Sequence, residues 1–435
     1  MVNGKRVTDP LPIDFASVEY LVSNECIADA WKKVRSNKGS AGVDHISIDR
    51  FPKWVRPKWN SIIALLLEER YSPTPALRVE IPKESGGVRN LGIPCVLDRV
   101  LMQSMARILG DMFNPHFSPS SYGYMPGRSV QQAARSAQQY YQQGYHFQIN
   151  IDLEKFFDTV NHDVLMTQVG KRVKNKGLLK LLGRFLRAGV VINGRLHPTR
   201  CGVPQGSPVS PILSNILLDV LDRELEARGH KFVRYADDVA IFVKSERAGE
   251  RALRSVSRFL ERKLKVVVNE SKCHVCKVKD SSVLGFHIHR KKLVTVDRKV
   301  KLFKQELKHI TRRCPGISIE SRIHRLKQYI QGWMAHYGCG LKYDDALAFD
   351  GWVRRRLRMC YWKQWRKPKR RIRELIKLGV STREAVLLGL SRKSYWRLSK
   401  TLATNAGLNN AHFESIGLIS MRTLWCKIHH PATAR

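Results

Sequence analysis

The chain has 435 residues, 43% of them hydrophobic, which allows a sizeable buried core and excludes an intrinsically disordered protein. Its 77 Lys and Arg against 37 Asp and Glu give a net charge of +40, a surface that calls for a polyanion and for binding that weakens steeply with salt. No apolar run is long enough to span a bilayer, and the N-terminal MVNGKRVTDPLPIDF lacks the apolar core of a secretory signal, so nucleic acid in a cytoplasmic setting is expected instead of a membrane. The nine cysteines are odd in number and scattered, as buried or free thiols of a reducing compartment are.

Residues 15–70 predict helices, broken by NKGSAGVD at 37–44, where two glycines demand a loop beside a backbone or a ligand. RVEIPKESGGVRNLGIP, residues 78–94, predicts a strand, a tight Gly86-Gly87 turn and a second strand. Lys83 and Arg89 flank that turn and can project toward one bound anion; ordinary solvated charges are the competing reading. Residues 96–113 repeat apolar side chains at helical spacing and predict a core helix. SYGYMPGRS, residues 121–129, is a loop carrying Arg128, a candidate nucleic-acid contact. FQINIDLEKFFDTV then predicts a strand that ends at Asp152 and runs into a helical turn, placing a carboxylate at a strand end.

GVPQGSPVSPILSN, residues 202–215, predicts a loop opening a long helix, with Pro208 and Pro211 suited to its first turn and Gly229 ending it. KFVRYADDVAIFVK, residues 231–244, predicts a β-hairpin with Asp237 and Asp238 at its tip. Adjacent carboxylates repel, and a fold tolerates them when a cation sits beside them; Mg2+ suits hard oxygen ligands shared with phosphate and water. An isolated Asp-Asp pair is more often a solvated turn, so the remaining chain decides. A helix over 252–264, a strand over LKVVVNESKCHV ending near Lys272, and a strand over SVLGFHIH complete an α+β, ferredoxin-like palm.

Beyond Arg298 helices are predicted over 300–312 and 319–337. Residues 353–373 hold eleven Lys or Arg and no acid, with aromatic rings interleaved, a composition suited to phosphates and stacked bases. The candidate contacts are Arg354, Arg355, Arg356, Arg358, Lys363, Arg366, Lys367, Lys369, Arg370 and Arg371, with Trp362 and Trp365 as stacking rings. The last sixty residues predict a small helical module with Ser381 and Ser391 as helix caps. Three carboxylates, an anion-gripping pair and a basic surface point to phosphoryl transfer on nucleic acid, with two Mg2+ ions activating a 3′-hydroxyl and stabilising the leaving pyrophosphate.

The blocks IPK..GG.R.LGIP, SYGYMPGRS, the strand ending in Asp152, GVPQGSPVSPILSN, YADD and VLGF occur in the order found in reverse transcriptases. The chain resembles the compact group II intron-encoded reverse transcriptase/maturases of bacteria from about Val18 through the basic C-terminal region. That resemblance implies a right-hand polymerase: fingers over about 1–145, palm over 146–298, helical thumb or maturase domain over 299–362 and a basic DNA-binding region over 363–435. It implies Asp152, Asp237 and Asp238 as catalytic carboxylates, with Asp152 and Asp237 the direct Mg2+ ligands. It implies that Lys83 and Arg89 hold the incoming triphosphate, that Phe157 selects dNTPs by excluding a ribose 2′-hydroxyl, that Gln205 positions nucleotide and template, and that Lys272 protonates pyrophosphate.

The chain departs from many relatives at its end, where a lone Cys426 near His429 and His430 fits no His-Asn-His endonuclease; this is similar to the smaller class C lineage, and second-strand cleavage is not expected. Cys273 and Cys276, with His287 and His289 downstream, have a zinc-like pattern but fall on expected palm strands, which favours a structural reading. The implied partners are intron RNA, primer or target DNA and dNTPs, and the implied role is splicing and retrohoming. Two other roles remain open: a host-adopted reverse transcriptase in repair or antiviral defence, and an RNA-binding maturase with vestigial polymerase.

Overall fold

The computed structural model describes residues 16–82, 88–290, 292–313 and 316–431. The expected Gly86-Gly87 turn and Lys83 lie outside the described residues. Two compact units emerge, residues 1–136 with 143–277, and residues 137–142 with 278–435. Among the described residues no helix is long and apolar enough to cross a membrane.

In the first unit, β1 (Ala76–Pro82) and β2 (Val88–Ile93) pair antiparallel, as their sequence predicts. β3 (Phe147–Ile151) follows. β4 (Val190–Ile192) and β5 (Arg195–His197) extend the first sheet to the order β2-β1-β4-β5. The hairpin is β6 (Lys231–Tyr235) and β7 (Asp238–Val243), and β8 (His274–Lys277) completes a second sheet of order β6-β7-β3-β8. The chain order β3, helix Ser210–Ala227, β6, β7, helix Glu246–Phe259, β8 gives the ferredoxin-like arrangement expected from sequence. Its inner strands are buried on both faces: consecutive residues along β6 and β7 are covered, and Ile149, Phe232, Ile241 and Phe242 are all but fully buried.

The loop at 37–44 behaves as its glycines require. A Cβ on Gly42 would stand 2.8 Å from the Cys95 backbone, so only glycine lets the loop close on the N-terminus of the Val96–Phe113 helix.

Two strand expectations fail for local reasons. Residues 265–272 form no strand beyond an isolated bridge between Leu153 and Val268; the chain turns at Asn269, whose carbonyl accepts the N–H groups of Lys272 and Cys273. SVLGFHIH divides into β9 (Ser282–Val283) and β10 (Phe286–Ile288), because Leu284 and Gly285 take φ of 52° and 87°. With β11 (Leu293–Thr295) these form a separate sheet in the second unit.

Helices dominate that second unit: Asp297–Ile310, Ile319–Tyr337, Tyr343–Gln364 and a run of shorter ones ending at Met421–His429. One apolar core links them, from Phe303 to Met421. Ser381 caps its helix as expected, but Ser391 does not: the next helix, Tyr395–Leu398, is capped by Ser394, whose hydroxyl accepts the Arg397 N–H.

Candidate active site

The tip of the β6–β7 hairpin is closed by the Tyr235–Asp238 pair, leaving Ala236 and Asp237 as its turn. Ala236 adopts φ of 59°, a left-handed state that residues with a Cβ rarely take unless their surroundings enforce it. The enforcement is a buried polar network. Arg234, fully buried, donates Nη1 to the Ala236 carbonyl at 3.1 Å and to Asn215 Oδ1 at 2.8 Å. Its Nε and Nη2 reach the equally buried Asp222 carboxylate at 2.8 and 2.6 Å. Burial pushes the Asp222 acid up, and Arg234 opposes that by attraction and hydrogen bonding.

The SYGYMPGRS loop lies directly on this turn. Tyr122 N–H donates to the Arg234 carbonyl, and Asn215 Nδ2 donates to the Gly123 carbonyl. A Cβ on Gly123 would collide with the Ala236 amide nitrogen and stand 2.8 Å from the Tyr235 carbonyl carbon. Gly123→Ala is therefore expected to displace the turn and to lower the primer extension that the sequence resemblance implies by on the order of a hundredfold, without touching the basic surface; steady-state primer extension beside an RNA filter-binding assay reads both.

Asp152 arrives from the neighbouring strand. Ile151 pairs with Val239, so the register carries Asp152 across from Asp238. The Asn269 turn secures it: the Asp152 carbonyl accepts the Asn269 N–H at 2.9 Å, and its own N–H donates to Cys273 Sγ at 3.2 Å. The same turn sets Lys272 Nζ 3.0 Å from Asp152 Oδ2. That hydrogen bond, and then the charge of Asp152, raise the Lys272 ammonium above its ordinary value. Asp238 is the exposed first residue of β7, with protein and two other acids close by. Desolvation by neighbouring protein, then repulsion from Asp237 and Asp152, pushes its acid up to about 6.

The structure thus brings all three predicted aspartates to one place. Among the described residues no three His, Cys, Asp or Glu side chains are already gathered as a metal cage. Mg2+ does not require one, since it binds through one or two carboxylates and completes its shell with phosphate and water. The hard-oxygen donors here, and the mutual repulsion of these acids, fit that ion. They do not fit zinc: Cys273 is engaged with Asp152, while Cys276 Sγ lies 3.8 Å from Asn150 Nδ2.

Around the aspartates, Arg89 Nε donates to Gln205 Oε1 at 3.0 Å, so these two predicted residues meet. The Gln205 carbonyl also accepts the Gly92 N–H at 2.7 Å, locking the PQG loop onto β2. Phe157 is buried, edge-on to Phe156 with ring centroids 5.4 Å apart, and its carbonyl accepts the Val203 N–H. Gly202 allows that approach: it takes φ of 90°, and a Cβ there would stand 2.8 Å from the Asp158 carbonyl oxygen. Arg128 is turned inward, its Nη1 bonded to the carbonyls of Ser118 and Ser121. It staples its own loop.

In the second unit the expected stacking rings are not available. Trp362 and Trp365 are in the apolar core, 0% and 5% exposed, packed edge-to-face at 5.7 Å. Trp362 lies on the buried face of the Tyr343–Gln364 helix, and Trp365, the residue that ends it, turns into the same core. Several arginines are also committed: Arg358 to the Leu408 carbonyl, Arg371 to the Trp365 carbonyl, Arg355 to the Trp396 carbonyl and ring, and Arg356 to the end of the Asp297–Ile310 helix. Arg354 and Lys363 are half-buried, whereas Arg366, Lys367, Lys369 and Arg370 face solvent.

Sequence reasoning missed Gly123, Asn215, Asp222 and Arg234. The available signal was Arg234 itself, a cation inside a strand arm whose neighbours are apolar and aromatic.

Residues 81–288 match the family described as reverse transcriptase (RNA-dependent DNA polymerase), and residues 300–379 match the group II intron, maturase-specific domain. The chain is similar to Protein YkfC of Escherichia coli K12, 31% identical over 326 residues, 66% of this chain and 86% of that protein. It is similar to the group II intron-encoded protein LtrA of Lactococcus lactis subsp. cremoris, 31% identical over 216 residues, 49% of this chain and 36% of LtrA. It is also similar to the putative COX1/OXI3 intron 2 protein of Saccharomyces cerevisiae, 39% identical over 200 residues, 45% of this chain and 23% of that protein. The match therefore spans most of YkfC but only about a third of LtrA and a quarter of the yeast protein.

Proposed function

Because the chain belongs to the reverse transcriptases of the group II intron-encoded kind, we propose that it copies RNA into DNA and binds an intron RNA as a splicing maturase, supporting retrohoming by target-primed cDNA synthesis. The observation that carries the polymerase reading is the meeting of Asp152, from the end of β3, with the Asp237-Asp238 tip, held by a buried ion pair and a glycine contact. The maturase reading rests on the match over residues 300–379.

In this reading Asp152 and Asp237 hold Mg2+, with Asp238 beside them. When bound, a pair of Mg2+ ions supplies the activation of the primer 3′-hydroxyl and the stabilisation of pyrophosphate. The protein's own share is placement. Arg89 and Gln205 orient the triphosphate and base, with Lys83 as the second cation. The Phe157 ring blocks a 2′-hydroxyl, and Lys272, on its turn beside Asp152, is the candidate proton donor to pyrophosphate. Residues 1–145 act as fingers, 146–298 as palm, 299–362 as thumb and 363–435 as the DNA-binding region.

The test is primer extension by purified protein with an RNA template, a DNA primer, dNTPs and Mg2+. Extension that stops on chelation of the metal is expected; no dNTP incorporation under any divalent-metal condition would remove the polymerase reading. Phe157→Ala enlarges the sugar pocket and is expected to raise ribonucleotide incorporation relative to deoxyribonucleotide by on the order of tenfold. Competition between the two triphosphates in single-nucleotide extension measures it, and an unchanged ratio would release Phe157 from the gating role.

A further inference from the structure

We infer that the cleft between the end of the Asp297–Ile310 helix and the Tyr343–Gln364 helix is a pocket for one unpaired RNA nucleotide, its base stacked on Trp352 or Trp396 and its flanking phosphates held by Lys308, Arg312 and Arg313. The inference rests on the RNA-binding part of the proposed function and names a site for it.

The cleft encloses about 1070 Å3 and is lined by Lys308, His309, Arg312, Arg313, Trp352 and Trp396 among others, none of them acidic. That is room for a nucleotide-sized ligand with its neighbouring phosphates. Lys308, Arg312 and Arg313 face solvent. They sit at a helix C-terminus, where the carbonyl ends are partly negative and usually draw nearby cations. Here those carbonyls are already answered from inside. Arg356 Nη2 donates to the Lys308 and Thr311 carbonyls at 3.1 and 3.3 Å, and Arg322 Nη1 donates to those of Ile310 and Arg312 at 2.6 and 2.7 Å. The three exposed cations are left to set the potential of the cleft. Burial lowers the Arg356 pKa; the nearby Cys360 thiol opposes that and the Arg322 charge adds to it.

The aromatic component is supplied by the two indoles. Trp352 and Trp396 are half-buried and each carries a guanidinium, Arg356 at 5.2 Å and Arg355 at 3.8 Å from the ring centroid. A ring fixed by a cation on one face is a rigid platform for a base on the other. Trp362 and Trp365 cannot do this from the core, so the stacking function predicted for the basic helix falls to the cleft. A base within an A-form helix keeps its faces stacked on its neighbours. Only a bulged or looped-out nucleotide can enter between such rings, and this is the common mode of specific RNA recognition.

The test uses the full-length protein and two labelled RNA hairpins that differ by one bulged adenosine, together with the same pair in DNA, read by fluorescence anisotropy. The bulged RNA is expected to bind on the order of tenfold more tightly than the paired one. Trp352→Ala with Trp396→Ala is expected to erase that preference, and Trp352→Phe with Trp396→Phe to keep it. Arg312→Glu with Arg313→Glu, both exposed, is expected to weaken both RNA hairpins; a folded variant with native RNA affinity would overturn the pocket. A bulge preference that is absent, or that survives loss of both indoles, would also overturn it, and an equal preference in DNA would overturn the assignment to RNA. Primer extension and total RNA binding by the native protein separate the cases: both present without bulge preference removes this inference alone, while failure of both removes the proposed function beneath it.

Discussion

Asp237→Asn is expected to abolish RNA-templated primer extension, lowering its rate by on the order of a thousandfold or more. Asparagine matches the size of aspartate and keeps the turn, but it removes one of the two charges assigned to the metal. The change also removes the carboxylate that, after desolvation, contributes most to pushing the Asp238 acid up to about 6. Loss of that repulsion favours the fold, so thermal stability without metal is expected to stay level or rise while activity disappears. Single-turnover extension beside thermal denaturation reads the two together. An active variant would place the chemistry elsewhere, and an inactive but unfolded one would show that Asp237 serves the hairpin instead.

Breaking the buried pair beneath the turn has the largest expected effect on stability. Asp222→Ala leaves the Arg234 guanidinium at 0% exposure without its carboxylate, an uncompensated buried charge that costs about 3–5 kcal/mol. Replacing both partners, with Asp222→Leu and Arg234→Met, removes the charge together with its counter-charge and is expected to recover most of that loss. Activity should not recover with it. The apolar pair no longer holds the Ala236 carbonyl and Asn215, so the left-handed residue before Asp237 loses its anchor. Urea unfolding of the three proteins gives the first comparison and primer extension the second. A double variant as active as the native chain would show that the network stabilises the fold without positioning the site.

The zinc pattern at Cys273 and Cys276 illustrates how a spacing rule misleads when the strands are unknown. Two cysteines three apart satisfy a ligand motif on paper. In the fold they lie on or beside β8, where Cys273 receives the Asp152 N–H and Cys276 faces the β3 backbone and Asn150. The rings of the basic helix teach the same lesson. Composition counts Trp362 and Trp365 as available for bases, but a long helix packed in a bundle must bury one face, which takes Trp362, and Trp365 at its end enters the same core.

What the sequence by itself determined is the local grammar. Arms rich in β-branched and aromatic residues on either side of a short polar turn specify the hairpin; the apolar repeat over Val96–Phe113 specifies the core helix; the order of strands and helices specifies the ferredoxin-like sheet. These follow from periodicity and turn chemistry, which act over a few residues and can be read along the chain. The tertiary structure alone decided which distant groups meet. Asp222 and Arg234 form a buried pair because a helix and a strand cross there, Gly123 must lack a side chain because a loop closes on the Ala236 peptide, and Trp352 and Trp396 line one cleft. Such contacts depend on packing between elements far apart in sequence, where burial, charge and steric exclusion act through space and leave no periodic trace in the chain.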